Sequence, residues 1–368
     1  MIESNQSVQT KVVSRALRLI QPRIVQEVQL EHEVQEWEVV IEPTLGSVCH
    51  ADLRYYTGQR RAEALASKLP MALLHEGIGT VVRSSTPSLP HGQSVVIVPN
   101  LQGYALRGEQ PDQCCETCRR GGSSANYCTH GRFLGSGMDG IAQSRLVVPA
   151  ANALPIPAEV PDEIAVLTEL CSVSYQALGH VADRLNGSTI AIFGDGPVGY
   201  LAAAVLHHVY GVDPANLTVF GAVPEKLEQF EFGRRRLVQE FDFSSGAQFD
   251  IALECAGGRF SESAINQAID VLKPGGHLIL MGVTEERVPI NTRDVLEKGI
   301  TLKGSSRSST EDFIPVLEAM RETRCQATLR KLLPHARRSI KSDADLAEAM
   351  KFAAQHRSWT RVLLDFQW

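Results

Sequence analysis

Basic residues, aromatic rings and long apolar runs are all scarce in this chain of 368 residues. Lysine and arginine number 36 against 42 aspartates and glutamates, for a formal net charge of -6, and only 6% of residues are Phe, Trp or Tyr. Such a chain lacks the basic surface and stacking rings on which nucleic-acid binding draws, so a small molecule is the expected partner. No apolar run approaches a membrane span, and residues 1–11 are polar where a secretory signal carries its apolar middle. A cytoplasmic protein with no membrane or nucleic-acid partner is expected. Internal repeats and low-complexity tracts are absent as well, so nothing points to a repeat architecture.

A chain of this length exceeds one ordinary hydrophobic core, and two domains are expected. In a reducing compartment its eight cysteines suit metal binding or buried thiols better than disulfides. Over 17–140, short β-branched segments such as Val39-Val40-Ile41 and Thr80-Val81-Val82 are broken by Gly and Pro, the pattern of an irregular β-rich domain. The spacing of Ile164, Leu167, Leu170, Cys171, Tyr175 and Leu178 predicts a helix over 162–181, with Glu169 on it at the domain junction. After Asn186-Gly187 the elements alternate, with strands at 189–193, 217–220, 251–254 and 277–281 and helices at 198–209 and 263–272. Alternation of this kind predicts an α/β fold with a doubly wound parallel sheet. Lys273-Pro274-Gly275-Gly276 is expected to stop the second of those helices. The tail, ending in a strand-like run at 361–364, is expected to fold back onto the first domain.

The turn Gly194-Asp195-Gly196-Pro197-Val198-Gly199 follows the apolar strand Ile190-Ala191-Ile192-Phe193 and opens an alanine-rich helix. A glycine motif alone is weak, but this context suits a dinucleotide: the backbone can approach a pyrophosphate, and the helix start offers free N–H groups. An NAD site usually carries Asp or Glu at the end of the second strand, to bind the ribose 2′-hydroxyl. Here that strand reads Leu217-Thr218-Val219-Phe220-Gly221. A glycine corner repels no 2′-phosphate and leaves it room, so NADP(H) is expected, with Lys226 as a candidate phosphate partner. Arg234-Arg235-Arg236 is read as solvated surface charge.

Upstream of the turn lie Cys49, His75-Glu76 and Glu169. A thiolate, an imidazole and a carboxylate can hold Zn²⁺ tetrahedrally while leaving a position open. Singly, each residue has an ordinary reading as a core thiol, a buried histidine or a surface acid. In context, Cys49-His50-Ala51-Asp52 and Leu74-His75-Glu76-Gly77-Ile78-Gly79 resemble the ligand segments of the zinc-containing medium-chain alcohol and polyol dehydrogenases, in that family's order. The resemblance implies an irregular β-rich GroES-like catalytic domain at 1–170 and 305–368 and a Rossmann domain at 171–304. It implies Cys49 and His75 as zinc ligands, Glu76 as ligand or near-ligand, and Asp52 in support. Thr168-Glu169-Leu170 resembles the glutamate ligand segment of the polyol dehydrogenases. Two residues along a helix turn a side chain by roughly 200°, so Glu169 and Cys171 do not both face one metal.

Cys114, Cys115, Cys118 and Cys128 lie close enough in sequence to form a closed structural zinc site. The family's cysteine lobe matches imperfectly, leaving Asp112 in the first place unless Cys114 substitutes.

Longer segments, among them Asp52-Leu53-Arg54-Tyr55-Tyr56-Thr57-Gly58, 68–77, Glu254-Cys255-Ala256-Gly257-Gly258-Arg259 and 291–308, resemble the ribulose-5-phosphate reductases that feed CDP-ribitol synthesis for bacterial wall and capsular polymers. That resemblance implies NADPH-dependent reduction of D-ribulose 5-phosphate to D-ribitol 5-phosphate. A phosphorylated pentulose needs cationic or hydrogen-bonding partners, and Arg54, Tyr55, Tyr56, Arg60 and Arg307 are the candidates. Ala51 stands where many alcohol dehydrogenases carry a hydroxyl, leaving water or Glu76 to handle the proton. A homodimer is implied by the superfamily. Two alternatives stay open: an NAD-dependent polyol dehydrogenase acting on unphosphorylated sugars, and a metal-free binding protein that keeps the fold without the chemistry.

Overall fold

The computed structural model describes residues 10–246, 248–356 and 358–368. Most of the polar opening weighed against a secretory signal lies outside the described residues. Among the described residues no helix is long and apolar enough to cross a membrane. The chain divides into two units, one running up to Val166 and resuming over Pro334–His356 and Val362–Trp368, the other beginning with Leu167–Leu333 and ending at Arg361.

The first unit is β-rich, as expected. Its main sheet runs in the order Ala153–Pro155, Ser94–Ile97, Glu76–Ser84, Glu38–Ser47, Leu363–Phe366, Arg338–Ile340, and Leu146–Pro149 also pairs with Glu38–Ser47. A hairpin of Thr10–Gln21 and Ile24–Val34 extends with Met71–Ala72 into a second, three-stranded sheet. The buried faces of these strands share one apolar core that includes Leu17, Ile41, Val81, Val95 and Leu146. Phe366 and Leu364 from the tail belong to the same core, so the end of the chain does return to the first unit.

The second unit holds a parallel six-stranded sheet in the order Arg234–Leu237, Leu217–Gly221, Ile190–Phe193, Phe249–Glu254, Leu272–Leu280, Thr301–Gly304. Numbered along the chain this is 3-2-1-4-5-6, the doubly wound order. Ile190–Phe193 and Leu217–Gly221 are buried along their whole length, as strands covered on both faces must be.

Several local expectations need correcting. The helix read over 162–181 is two helices, Asp162–Ala165 and Thr168–Gly179, with Val166 and Leu167 forming a turn between them where the chain changes unit. Lys273-Pro274-Gly275-Gly276 does not cap the preceding helix, which already ends at Val271. Those four residues lie in the strand Leu272–Leu280, where a register shift against Phe249–Glu254 absorbs Gly275 at φ 76. Arg234–Leu237 is a strand despite its three arginines. It takes the sheet edge, where its exposed side chains meet solvent. The helices Thr310–Met320 and Thr323–Arg330 pack on Thr168–Gly179 and Pro197–His208. By packing, the return to the first unit therefore begins at Pro334, later than the expected 305.

Candidate metal and cofactor sites

Strand register brings the first donors together. Glu38–Ser47 and Glu76–Ser84 are antiparallel with Ser47 opposite Glu76, so the residues after one strand and before the other emerge at the same end. Cys49 sits at the N-cap of the helix His50–Thr57. A ligand atom each from Cys49, His75 and Glu76 lies within 4.8 Å of the others. A tetrahedral metal with bonds of about 2.0–2.3 Å spaces its donors roughly 3.3–3.8 Å apart, so this soft-and-hard donor set fits one zinc ion.

Asp52, 1% exposed, fastens both donor segments. One carboxylate oxygen accepts the Cys49 N–H at 2.9 Å. The other accepts the Leu74 N–H at 3.1 Å and lies 3.5 Å from His75 Nδ1. Leu74 is held at φ 74, a conformation that a bulky residue adopts only under constraint, directly before the histidine. Burial disfavours the His75 imidazolium, but the Asp52 charge and hydrogen bonds to Asp52 and Cys49 outweigh it and hold the ring well above its ordinary pKa.

Glu169 belongs to the second unit and is buried in the first turn of Thr168–Gly179. Ser172 Oγ donates to the Glu169 carbonyl at 2.6 Å and lies 2.7 Å from Ser308 Oγ, which draws the serine-rich segment of Arg307 against that turn. Arg307 itself is at φ 64. Cys171 is turned into the core of the second unit, where it lines a small apolar cavity with His208, Met320 and Cys325.

The glycine turn has the geometry that a dinucleotide requires. A Cβ on Gly194, at φ 141, would lie 2.9 Å from the Cys255 carbonyl carbon, and one on Gly199 would lie 2.0 Å from the Gly194 oxygen. Only glycine permits these approaches. Gly196, the N-cap, faces open space, and Pro197 and Val198 begin the helix Pro197–His208. Its first N–H groups are thus presented to an anion, and a pyrophosphate fits there.

The corner at Gly221 is not empty. The Asp195 carboxyl group fills it: a Cβ on Gly221 would lie 2.6 Å from Asp195 Cβ and 2.8 Å from its Oδ2. The glycine at the end of the second strand thus adjoins an acid supplied by the glycine turn. Lys226, half-buried in Pro224–Leu227, remains near in sequence.

With this geometry in place, the sequence comparisons are decisive. The profile of the alcohol dehydrogenase GroES-like domain matches residues 35–158, and that of the zinc-binding dehydrogenases matches 197–322. Ribulose-5-phosphate reductase 1 of Staphylococcus aureus (strain NCTC 8325 / PS 47) is 36% identical over 359 residues, covering 96% of this chain and 99% of its own. The chain belongs to the zinc-type medium-chain dehydrogenase family. Another member, the ribulose-5-phosphate reductase of Bacillus spizizenii (strain ATCC 23059 / NRRL B-14472 / W23), is 33% identical over 97% of this chain and 100% of its own. Among solved structures, S. aureus TarJ in complex with NADPH superposes with a TM-score of 0.78 at 32% identity, over 97% of this chain and 100% of that one.

This medium-chain dehydrogenase carries a second donor group. Cys114, Cys115, Cys118 and Cys128 place their sulfurs within 4.8 Å of one another. Three of the separations are 3.7, 3.6 and 3.8 Å. Four sulfurs bound to zinc at about 2.3 Å stand roughly 3.8 Å apart, so the cluster matches a closed structural site. Cys114, not Asp112, takes the first place. A hydrogen bond with Thr117 is the main cause that lowers the Cys115 thiol to about 4, while burial raises Cys118 and Cys128.

The residues proposed for a substrate phosphate separate in the structure. Tyr56 is buried and donates to the Ala347 carbonyl at 3.1 Å. Tyr55 lies under the Arg60 guanidinium, 4.7 Å from its ring centroid, and its hydroxyl is 3.2 Å from Ser136 Oγ. Lys68 Nζ donates to the same Ser136 oxygen at 2.9 Å. Burial opposes ionisation of Tyr55, but contacts with Ser136, Lys68 and Arg60 outweigh it and lower the phenol below its usual value. Sequence reasoning assigned nothing to Lys68 or Ser136; the available signal was that Lys68 opens one of the resembling segments. Phe133, three residues before Ser136, lies with its ring centroid 5.3 Å from that of His75.

Proposed function

We propose that this protein reduces D-ribulose 5-phosphate to D-ribitol 5-phosphate with NADPH, at a zinc centre held by Cys49, His75, Glu76 and Glu169. The observation that carries the reading is identity above 30% with ribulose-5-phosphate reductases across almost the whole chain. When bound, the metal supplies a Lewis acid for the C2 carbonyl and NADPH supplies the hydride.

The chain's own residues orient and discriminate. Asp52 at Nδ1 of His75 fixes the ring's tautomer and leaves Nε2 as the metal donor. Arg60 and Lys68, with the hydroxyls of Tyr55 and Ser136, bind the 5-phosphate, and Arg54 and Arg307 are further candidates for the substrate. Gly194, Gly196, Pro197, Val198 and Gly199 seat the pyrophosphate. Lys226 binds the 2′-phosphate. Glu76 or water moves the proton, since Ala51 has no hydroxyl. Cys114, Cys115, Cys118 and Cys128 hold a structural zinc.

The product's fate is CDP-ribitol for wall or capsular polymers, made in the cytoplasm. The protein works as a homodimer joined through the exposed edge strand Thr301–Gly304, whose free backbone groups invite pairing. One observation favours the alternative of an NAD-dependent enzyme: the carboxylate of Asp195 at the Gly221 corner. The test is product analysis with NADPH deuterated on the transferred position. Deuterium at C2 of ribitol 5-phosphate supports the reading. Deuterium in ribitol alone, or transfer from NADH only, supports the alternative.

A further inference from the structure

We propose that Asp195 discriminates between the two nicotinamide cofactors, its carboxylate replacing the acid missing from the end of Leu217–Gly221 and opposing a 2′-phosphate. The inference rests on the proposed NADPH site and adds a determinant to it.

Three observations support it. The backbone N–H groups of Ala222 and Val223 both donate to Asp195 Oδ2, at 2.7 and 2.8 Å. These amides follow the second strand of the doubly wound sheet, where the adenosine ribose is recognised. A side chain starting at Gly221 would meet that same oxygen at 2.8 Å, so the carboxylate stands where an acid at 221 would project. Ala222 and Val223 are exposed, which leaves the corner open to a ligand.

Two consequences follow. The amides that would otherwise coordinate a phosphate already have an anion, supplied by the chain itself. A dianionic 2′-phosphate arriving there must either displace that carboxylate or lie beside it. Lys226 and Glu225 follow the corner amides in the chain, and the exposed Arg234, Arg235 and Arg236 lie on the neighbouring strand. A ribose 2′-hydroxyl meets no such penalty and can donate to the carboxylate. The corner is therefore more tolerant of NAD(H) than its glycine suggests.

The test is calorimetric titration of the zinc-loaded, full-length protein with adenosine 2′,5′-bisphosphate and with 5′-AMP, which differ only in the 2′-phosphate. Asp195→Asn keeps an oxygen acceptor for the corner amides and removes the charge. The expected result is about tenfold tighter binding of the bisphosphate, with 5′-AMP changed by no more than about twofold. Unchanged or weaker bisphosphate binding overturns the inference. Equal loss of both ligands in the variant makes Asp195 a scaffold of the corner and also overturns it. Failure of both ligands to bind the unsubstituted protein overturns the nucleotide site itself, and the inference with it.

Discussion

Asp52 Oδ1 lies 3.5 Å from His75 Nδ1 while the other oxygen of the same carboxylate holds the Cys49 N–H at 2.9 Å. One buried acid thus orients the imidazole of His75 and anchors the backbone of Cys49, two of the candidate metal donors. Asp52→Asn should keep the volume and lose the charge. The expected outcome is a zinc affinity lower by about 10- to 100-fold, measured by competition with a chromophoric chelator. An affinity unchanged by the substitution would show that Cys49 and His75 are positioned without it.

The raised pKa of His75 gives two pH dependences of opposite sign. In metal-free protein the charged ring stabilises the fold. That contribution is complete below the ordinary histidine value and is lost as pH rises through the raised value. Zinc binding needs the neutral ring, so its affinity should increase over that same rise. Thermal unfolding and chelator competition across one pH series should move in opposite directions, and His75→Asn should flatten both.

Two donor groups predict two zinc ions per chain by elemental analysis of protein prepared without chelator. Cys118→Ser should leave one and lower the melting temperature, while Cys49→Ala should leave one and abolish turnover. A count unchanged in Cys118→Ser would remove the structural site.

Lys68→Gln should raise KM for ribulose 5-phosphate by about tenfold, the weight of a lost charge-assisted contact, and leave kinetics with unphosphorylated ribulose unchanged. Similar losses on both sugars would assign Lys68 to the support of Tyr55 and Ser136 instead.

Glu254 is a fully buried acid that gathers four hydrogen-bond donors. Its carboxylate accepts from the N–H groups of Ala256 and Gly257, the Ser261 hydroxyl and the Gly282 N–H, tying two strand ends of the nucleotide-binding sheet. Glu254→Ala should cost on the order of 3 kcal/mol in denaturant unfolding, because several buried donors lose their acceptor at once. Loss of activity without loss of stability would give it a different role.

What could be read in the sequence was what local pattern determines. The glycine turn announced itself because its glycines, its strand and its helix are contiguous, and the donor segments of Cys49 and His75 carry distinctive neighbours. The alternation after residue 186 encodes the parallel sheet, since each strand and crossover helix has its own period. Relations across the chain could not be read this way. Asp195 reaches the corner at Gly221 only because parallel strands bring their ends together, and Lys68 joins Tyr55 through Ser136, a loop residue remote in sequence. Tyr56 is a candidate by its closeness to Cys49, and sequence alone does not disclose that its hydroxyl donates to the Ala347 carbonyl. The choice between Asp112 and Cys114 depended on a loop whose spacing matches no simple rule, and only coordinates resolve such a loop.

The most direct test of the central claim is a set of initial rates for zinc-replete protein, pairing NADPH or NADH with ribulose 5-phosphate or ribulose. NADPH oxidation that depends on the phosphate ester and disappears in Cys49→Ala is the predicted result. Turnover of free ribulose with NADH at equal or higher efficiency, or turnover that survives Cys49→Ala, would contradict it.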